Sequence, residues 1–291
     1  MTATDRAKAC FLRACTLDVA VRKPGNVSLA SAGHGMQAEM FVASAHAAAG
    51  PLFQPGARVG ARIEAAVAAT WAVAGCNTNL GILLLSAPIA LAVERFPDAA
   101  SPLRLRQAIE AVLAGLNLAD AEAAYRAIAN ARPGGLGATT QQDVHQAPSI
   151  DLRAAMALAA DRDSIAREYR DGYADLFDIG IPALGHGFSL MAMSAADKPC
   201  AEEIAAVQRL YLTLLSGFPD SHIVRIHGKA MAHIVMTAAQ AWLVRADLVA
   251  DIDTDVAFAA WDASLKADRV NPGTTADLTV ATLLIAGLSA R

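Results

Sequence analysis

Residues 82–93 are the most constraining stretch of this chain: about a dozen apolar residues in a row, broken only by Ser86 and Pro88. A bilayer span needs roughly 20 apolar residues, so the run does not cross a membrane. A helix that is apolar on every face must instead be covered by other elements on all sides. The rest of the chain is suited to supply that cover. Its apolar fraction is 55% but only 5% is aromatic, so alanine and the aliphatics carry the hydrophobicity. Alanine favours helix and lets helices approach closely, and no sustained alternation of β-branched and polar residues marks a strand. The expected fold is all-α: one bundle-like domain over residues 1–291, built around a central apolar helix.

Apolar spacing predicts helices over residues 5–21 (with Thr4 as N-cap), 38–49, 57–74, 82–95, 103–115 and 119–131. Further helices are predicted near 151 and over 161–177, 202–216, 220–244, 256–266 and 275–288. Residues 132–149 read as a polar loop containing Thr139, Thr140, Asp143 and His145. Residues 180–198, with Pro182 and His186, read as a long connection or lid.

Several functions are disfavoured. A net charge of −4 with no Lys/Arg run argues against nucleic acid and anionic membrane surfaces as partners. No G-x-S-x-G elbow, P-loop or dinucleotide fingerprint is present. Cys10, Cys15, Cys76 and Cys200 show no C-x-x-C pairing and are expected as buried, reduced thiols. No His/Cys spacing resembles a zinc site, so none of the seven histidines is expected to bind metal. The N-terminus reads as an amphipathic helix rather than a leader, which makes the expected location cytoplasmic.

Three polar turns interrupt the apolar helices: Lys23-Pro-Gly-Asn-Val-Ser28, Cys76-Asn-Thr-Asn-Leu-Gly81 and Asn271-Pro-Gly-Thr-Thr-Ala-Asp277. Pro24 followed by Gly25 predicts a type II turn. The first turn is expected to end a helix and open a polar loop over residues 29–37, and the two later turns each to lead into a helix, whose N-terminus attracts anions. Lys23 adds charge, Gly25, Gly81 and Gly273 permit close approach of a ligand, and Asn26, Ser28, Asn77, Asn79, Asn271, Thr274 and Thr275 can read its polar edges. Together they point to a phosphorylated small molecule. The last turn also reads as a simple cap, with Thr274 as N-cap and Asp277 three residues on.

Asp161-Arg-Asp-Ser-Ile-Ala-Arg-Glu-Tyr169 is either a solvated face, with Asp163 and Arg167 paired at i,i+4, or a functional cluster. In the second reading Asp163 and Glu168 hold Mg²⁺ or act as a base, while Arg162 and Arg167 meet phosphate. Asp220-Ser-His-Ile-Val-Arg-Ile-His-Gly228 offers a helix cap at Asp220 or Ser221 and a further cation, Arg225. Gly228 there marks close packing or ligand approach.

The ordered set of these motifs, with Phe41-Val-Ala-Ser-Ala45 and Gly134-Gly-Leu-Gly137, resembles the triphosphoribosyl-dephospho-CoA synthases, in particular the divergent branch of methanogens and methylotrophs. The resemblance spans residues 15–288. It implies an all-helical transferase that moves the triphosphoribosyl unit of ATP to the ribose 2′-hydroxyl of 3′-dephospho-CoA and releases adenine. It further implies Mg²⁺ accompanying ATP, and Lys23, Arg162, Arg167 and Arg225 as cations for the triphosphate. Asp163, Glu168 and Asp277 are candidates for the base or for stabilising positive charge on the ribose.

The characterised branch carries Lys-Pro-Gly-Leu-Val-Asp and Asn-Thr-His-Lys-Gly turns and a Gly-Gly-Ser-Ala-Asp ending. This chain has Asn26 and Ser28, Asn79 and Leu80, and Thr274 and Thr275 instead. Those differences leave room for another phosphorylated acceptor, such as a methanofuran- or methanopterin-type precursor, or for a nucleotide-binding module without turnover. Either way the helices can pack within a monomer or across a homodimer.

Overall fold

The computed structural model describes residues 1–137, 141–185, 188, 190, 198–249 and 251–289. Thr139, Thr140 and His186 lie outside the described residues. Among those described, thirteen α-helices and no strands are present. They are α1 (Ala3–Ala20), α2 (Ala38–Leu52), α3 (Val59–Ala74), α4 (Leu80–Arg95), α5 (Pro102–Ala114), α6 (Leu118–Ala131) and α7 (Leu152–Ala157). Then come α8 (Ser164–Asp171), α9 (Ile181–Ala183), α10 (Ala201–Gly217), α11 (Ser221–Ala246), α12 (Val256–Ala267) and α13 (Gly273–Ser289).

The apolar run is the central helix α4, every residue from Leu80 to Val93 being buried. It packs against α1, α2, α3, α5, α8 and α13. Helix α13 is covered almost as completely. Pro88 interrupts α4 in a telling way. Proline has no N–H, so the carbonyl four residues earlier, that of Leu84, loses its helical donor. The Tyr169 hydroxyl of α8 takes that place, donating to Leu84 O at 2.7 Å, and Tyr173 donates to Leu85 O at 2.7 Å. Both tyrosines are fully buried, so two hydroxyls clamp α8 and the turn just after it to the centre of the protein.

A second apolar cluster forms around Tyr211, Ile223, Phe258 and Leu265, where Trp242 and Trp261 stack at 6.1 Å between ring centroids. Helix α10 belongs to both clusters, since Leu210 and Leu214 face the first and Tyr211 and Leu215 the second.

Several local expectations shift. Helix α1 begins earlier than predicted, because Thr2 rather than Thr4 forms a capping box with Asp5. The helix predicted over 161–177 is divided: α8 ends at the left-handed Gly172, and Leu176–Gly180 winds as a π-helix. Helix α11 breaks at Gly228, whose φ of 84° excludes most side chains. Nothing lies within 4 Å of where its Cβ would be, so backbone conformation rather than close packing accounts for this glycine. Cys10 and Cys15 are buried as expected, but Cys76 is half-buried and Cys200 exposed. Among the described residues no helix is long and apolar enough to cross a membrane.

Candidate active site

The first polar turn forms as its Pro-Gly pair dictates: Gly25 has φ 83° and Asn26 N donates to Lys23 O at 2.9 Å. It opens a loop with two isolated bridges, Ser28–Ser31 and Gly33–Met36. The turn interlocks with the third one, because a Cβ on Gly25 would sit 2.7 Å from the Pro272 ring and 2.9 Å from Val270 O. The Gly25 N–H donates to the buried Asp262 carboxylate at 2.9 Å, which adds α12 to the brace.

The second turn starts α4, with the Asn77 side chain accepting from Leu80 N at 3.1 Å. The third starts α13 at Gly273, two residues earlier than a Thr274 cap requires, so Thr274 lies inside the first turn. The donors there are satisfied from another helix: Asp220 accepts from Thr275 N at 2.7 Å and Thr275 Oγ1 at 2.8 Å. Its other oxygen accepts from Ile223 N at 3.0 Å, so one carboxylate caps both α11 and α13.

All three turns border one cavity of about 520 Å³. Of the residues singled out in the sequence, Asn26, Asn77, Asn79, Gly81, Arg162, Asp163, Arg225, Asn271, Gly273, Thr274 and Asp277 line it. One side is apolar, with Phe41, Ile82, Leu84, Ile128 and Met156; the 133–137 loop closes over another. Gly135 lets that loop rest on α11, since a Cβ there would meet Arg225 O at 3.0 Å.

Six others stand elsewhere. Lys23 is fully buried behind the wall, with Asp18 Oδ1 at 2.9 Å and Asn26 Oδ1 at 2.6 Å. It holds protein groups, not a phosphate. Gly25 is packed between turns, Ser28 is 2% exposed, and Thr275 is consumed by Asp220. Arg167 does not pair with Asp163: it bonds Asp175 at 2.6 Å and stacks on Phe218. Glu168 is 1% exposed and outside the cavity lining, which removes it as metal ligand or base. Burial, reinforced by the nearby Asp175, pushes its carboxyl well above the usual range.

The cavity's charge is zoned. Asp163 caps α8 through Ala166 N at 3.1 Å and pairs with Arg225 at 2.7 Å. Arg162 and Arg269 line the cavity without an ion pair among the described residues. Asp277 lies against the start of α4, so close that a Cβ on Gly81 would fall inside its carboxylate. It is half-buried and makes no hydrogen bond among the described residues. Burial, with Asp18, Asp220 and Asp163 adding repulsion, pushes the Asp277 carboxyl well above the ordinary range, against the opposing pull of Arg225. No group of three or more His, Cys, Asp or Glu among the described residues could hold a metal by itself. A nucleotide-borne Mg²⁺ needs only one or two protein carboxylates, and Asp163 at the cavity wall fits that demand.

The cavity also contains groups that motif reading passed over: Asp18, His34, Tyr125, His222 and Arg269. Asp18 carried one signal, an acid inside the apolar helix five residues before Lys23. His222 is pushed down to about 4 by burial and then by Arg225, so it is neutral at neutral pH.

A crystal structure from Archaeoglobus fulgidus, provisionally assigned as a triphosphoribosyl-dephospho-CoA synthase, shares the fold at a TM-score of 0.63 and 22% identity, covering 86% of this chain and 98% of that one. No curated protein matches the chain. The family model CitG, described as ATP:dephospho-CoA triphosphoribosyl transferase, matches residues 4–291. The chain therefore belongs to the CitG family of ATP:dephospho-CoA triphosphoribosyl transferases.

Proposed function

We propose that the cavity shared by the three turns is the active site of a transferase that moves the triphosphoribosyl unit of ATP to dephospho-CoA. The observation that supports this most is Asp277, a carboxylate without a hydrogen-bond partner among the described residues, with a raised proton affinity, facing the cavity between two helix starts. A general base works best when its pKa lies near the working pH. In this reading Asp277 takes the proton of the acceptor's ribose 2′-hydroxyl. The freed oxygen bonds to the anomeric carbon of the ATP ribose, and the electron pair of the broken glycosidic bond leaves with adenine.

Positive charge that builds on the ribose is countered by Asp277 and Asp18. The triphosphate is held by Arg162, Arg225 and Arg269, and by the asparagines of the three turns. Asp163 is the carboxylate that would hold an Mg²⁺ accompanying ATP, which would supply charge neutralisation of the triphosphate. Free thiols at all four cysteines fit a cytoplasmic enzyme. A homodimer is supported by an exposed line along and just past α11, in which Ala230, Ile234, Ala241, Val244 and Leu248 are apolar and Thr237 interrupts. Light scattering on the purified protein tests it.

The activity is tested by incubation with ATP, Mg²⁺ and dephospho-CoA. Adenine should appear only when dephospho-CoA is present. ATP binding without adenine release would refute the reading and leave a nucleotide-binding module or a different acceptor.

A further inference from the structure

The four asparagines of the three turns share a feature that their sequence does not show: each has its side-chain oxygen already held by a protein donor. Asn26 Oδ1 accepts from Lys23 Nζ at 2.6 Å. Asn77 Oδ1 accepts from Leu80 N at 3.1 Å. Asn79 Oδ1 accepts from Thr70 Oγ1 at 3.1 Å, and Asn271 Oδ1 from Asn26 Nδ2 at 3.0 Å. An ammonium and a backbone N–H can only donate, so Asn26 and Asn77 cannot be turned the other way. Asn271 follows from Asn26, since the nitrogen that Lys23 turns outward is what its oxygen meets.

Three amide nitrogens remain, since that of Asn26 already donates to Asn271. Asn79 Nδ2 is buried without a hydrogen-bond partner, in a residue 4% exposed that lines the cavity. Such a donor costs free energy unless a ligand meets it. Asn271 Nδ2 lies over Gly273 at the start of α13, 3.5 Å from where that residue's Cβ would be.

We infer that the three turns form a wall of oriented amide donors that reads the triphosphate oxygens, and that Lys23 is a positioning residue which sets this polarity from behind without touching the ligand. The inference rests on the active-site reading above. It explains how a polyphosphate is held where the lysine of the first turn is out of reach.

The test is calorimetry of the full-length protein with inorganic tripolyphosphate and, separately, with adenosine. Asn79→Asp replaces the orphan donor by an acceptor of the same shape. Tripolyphosphate affinity should fall roughly 10- to 100-fold, the worth of one hydrogen bond to a charged group, with adenosine affinity within about twofold. Lys23→Met combined with Asp18→Asn removes the buried pair together and frees Asn26 and Asn271 to turn; tripolyphosphate should again weaken selectively. Unchanged tripolyphosphate affinity in both variants overturns the inference, as does equal loss of both ligands. Tripolyphosphate binding by a protein that never releases adenine would refute the proposed reaction and leave the donor wall standing.

Discussion

The bond from Tyr169 to the centre of α4 offers a sharp test of how this fold tolerates a proline in its most buried helix. Leu84 O has no helical donor because residue 88 is proline, and the Tyr169 hydroxyl reaches it at 2.7 Å from a fully buried ring. Tyr169→Phe keeps the ring and removes the donor. A buried acceptor left unpaired costs about 1–3 kcal/mol, so a loss near 2 kcal/mol is expected. Pro88→Ala restores an N–H at position 88, which can bond Leu84 O within the helix. In that background Tyr169→Phe should cost less than about 0.5 kcal/mol, giving a coupling of roughly 1.5 kcal/mol, within the span seen for residues in direct contact. Urea unfolding of the four proteins, with m-values compared to confirm a common unfolded state, measures it. Equal costs of Tyr169→Phe in both backgrounds would show that the hydroxyl is not compensating the proline. The clamp also bears on the site, because α8 starts at the Asp163 cap.

Three further outcomes are expected. Gly81→Ala forces the Asp277 carboxylate to move, and a displacement of that kind should lower kcat/KM by about 100-fold while the far-UV helix signal is unchanged. Asp277→Asn should lower kcat by roughly 10²- to 10⁴-fold. In the unsubstituted enzyme kcat should rise with pH through a value above the ordinary aspartate range, as the raised carboxyl loses its proton; a profile flat there would refute Asp277 as base. Glu168 binds its proton more tightly folded than unfolded, so its contribution to stability falls as pH rises from the unfolded carboxyl value towards the raised folded one. Glu168→Gln should therefore leave activity intact, raise Tm at neutral pH and flatten the decline measured by thermal melts between acid and neutral pH.

The all-helical class was legible from the alanine-rich composition and the lack of strand alternation, and the buried place of α4 from residues 82–93, because an apolar run too short for a bilayer has no stable position except inside. The type II turn at Pro24-Gly25 was equally local. Both follow from what a few adjacent residues permit. The three turns stood out for the same reason, since polar residues between apolar helices are conspicuous whatever they do.

What those polar groups touch was decided only by tertiary contacts. Asp163 and Glu168 look equivalent in sequence, yet one caps α8 at the cavity and the other, just over one helical turn on, is sealed in the interior. Helix geometry puts them on different faces, and only the packing of α8 on α4 says which face is covered. Lys23 resembled a ligand-binding cation, but its chain folds back onto Asp18 and Asn26, which arrive with α1 and the turn itself. Asp220, 55 residues from Thr275, caps the helix that Thr274 was expected to cap. Local spacing determines where a chain turns. Which side chains become neutral, paired or available depends on neighbours distant in sequence, because burial and charge act through space.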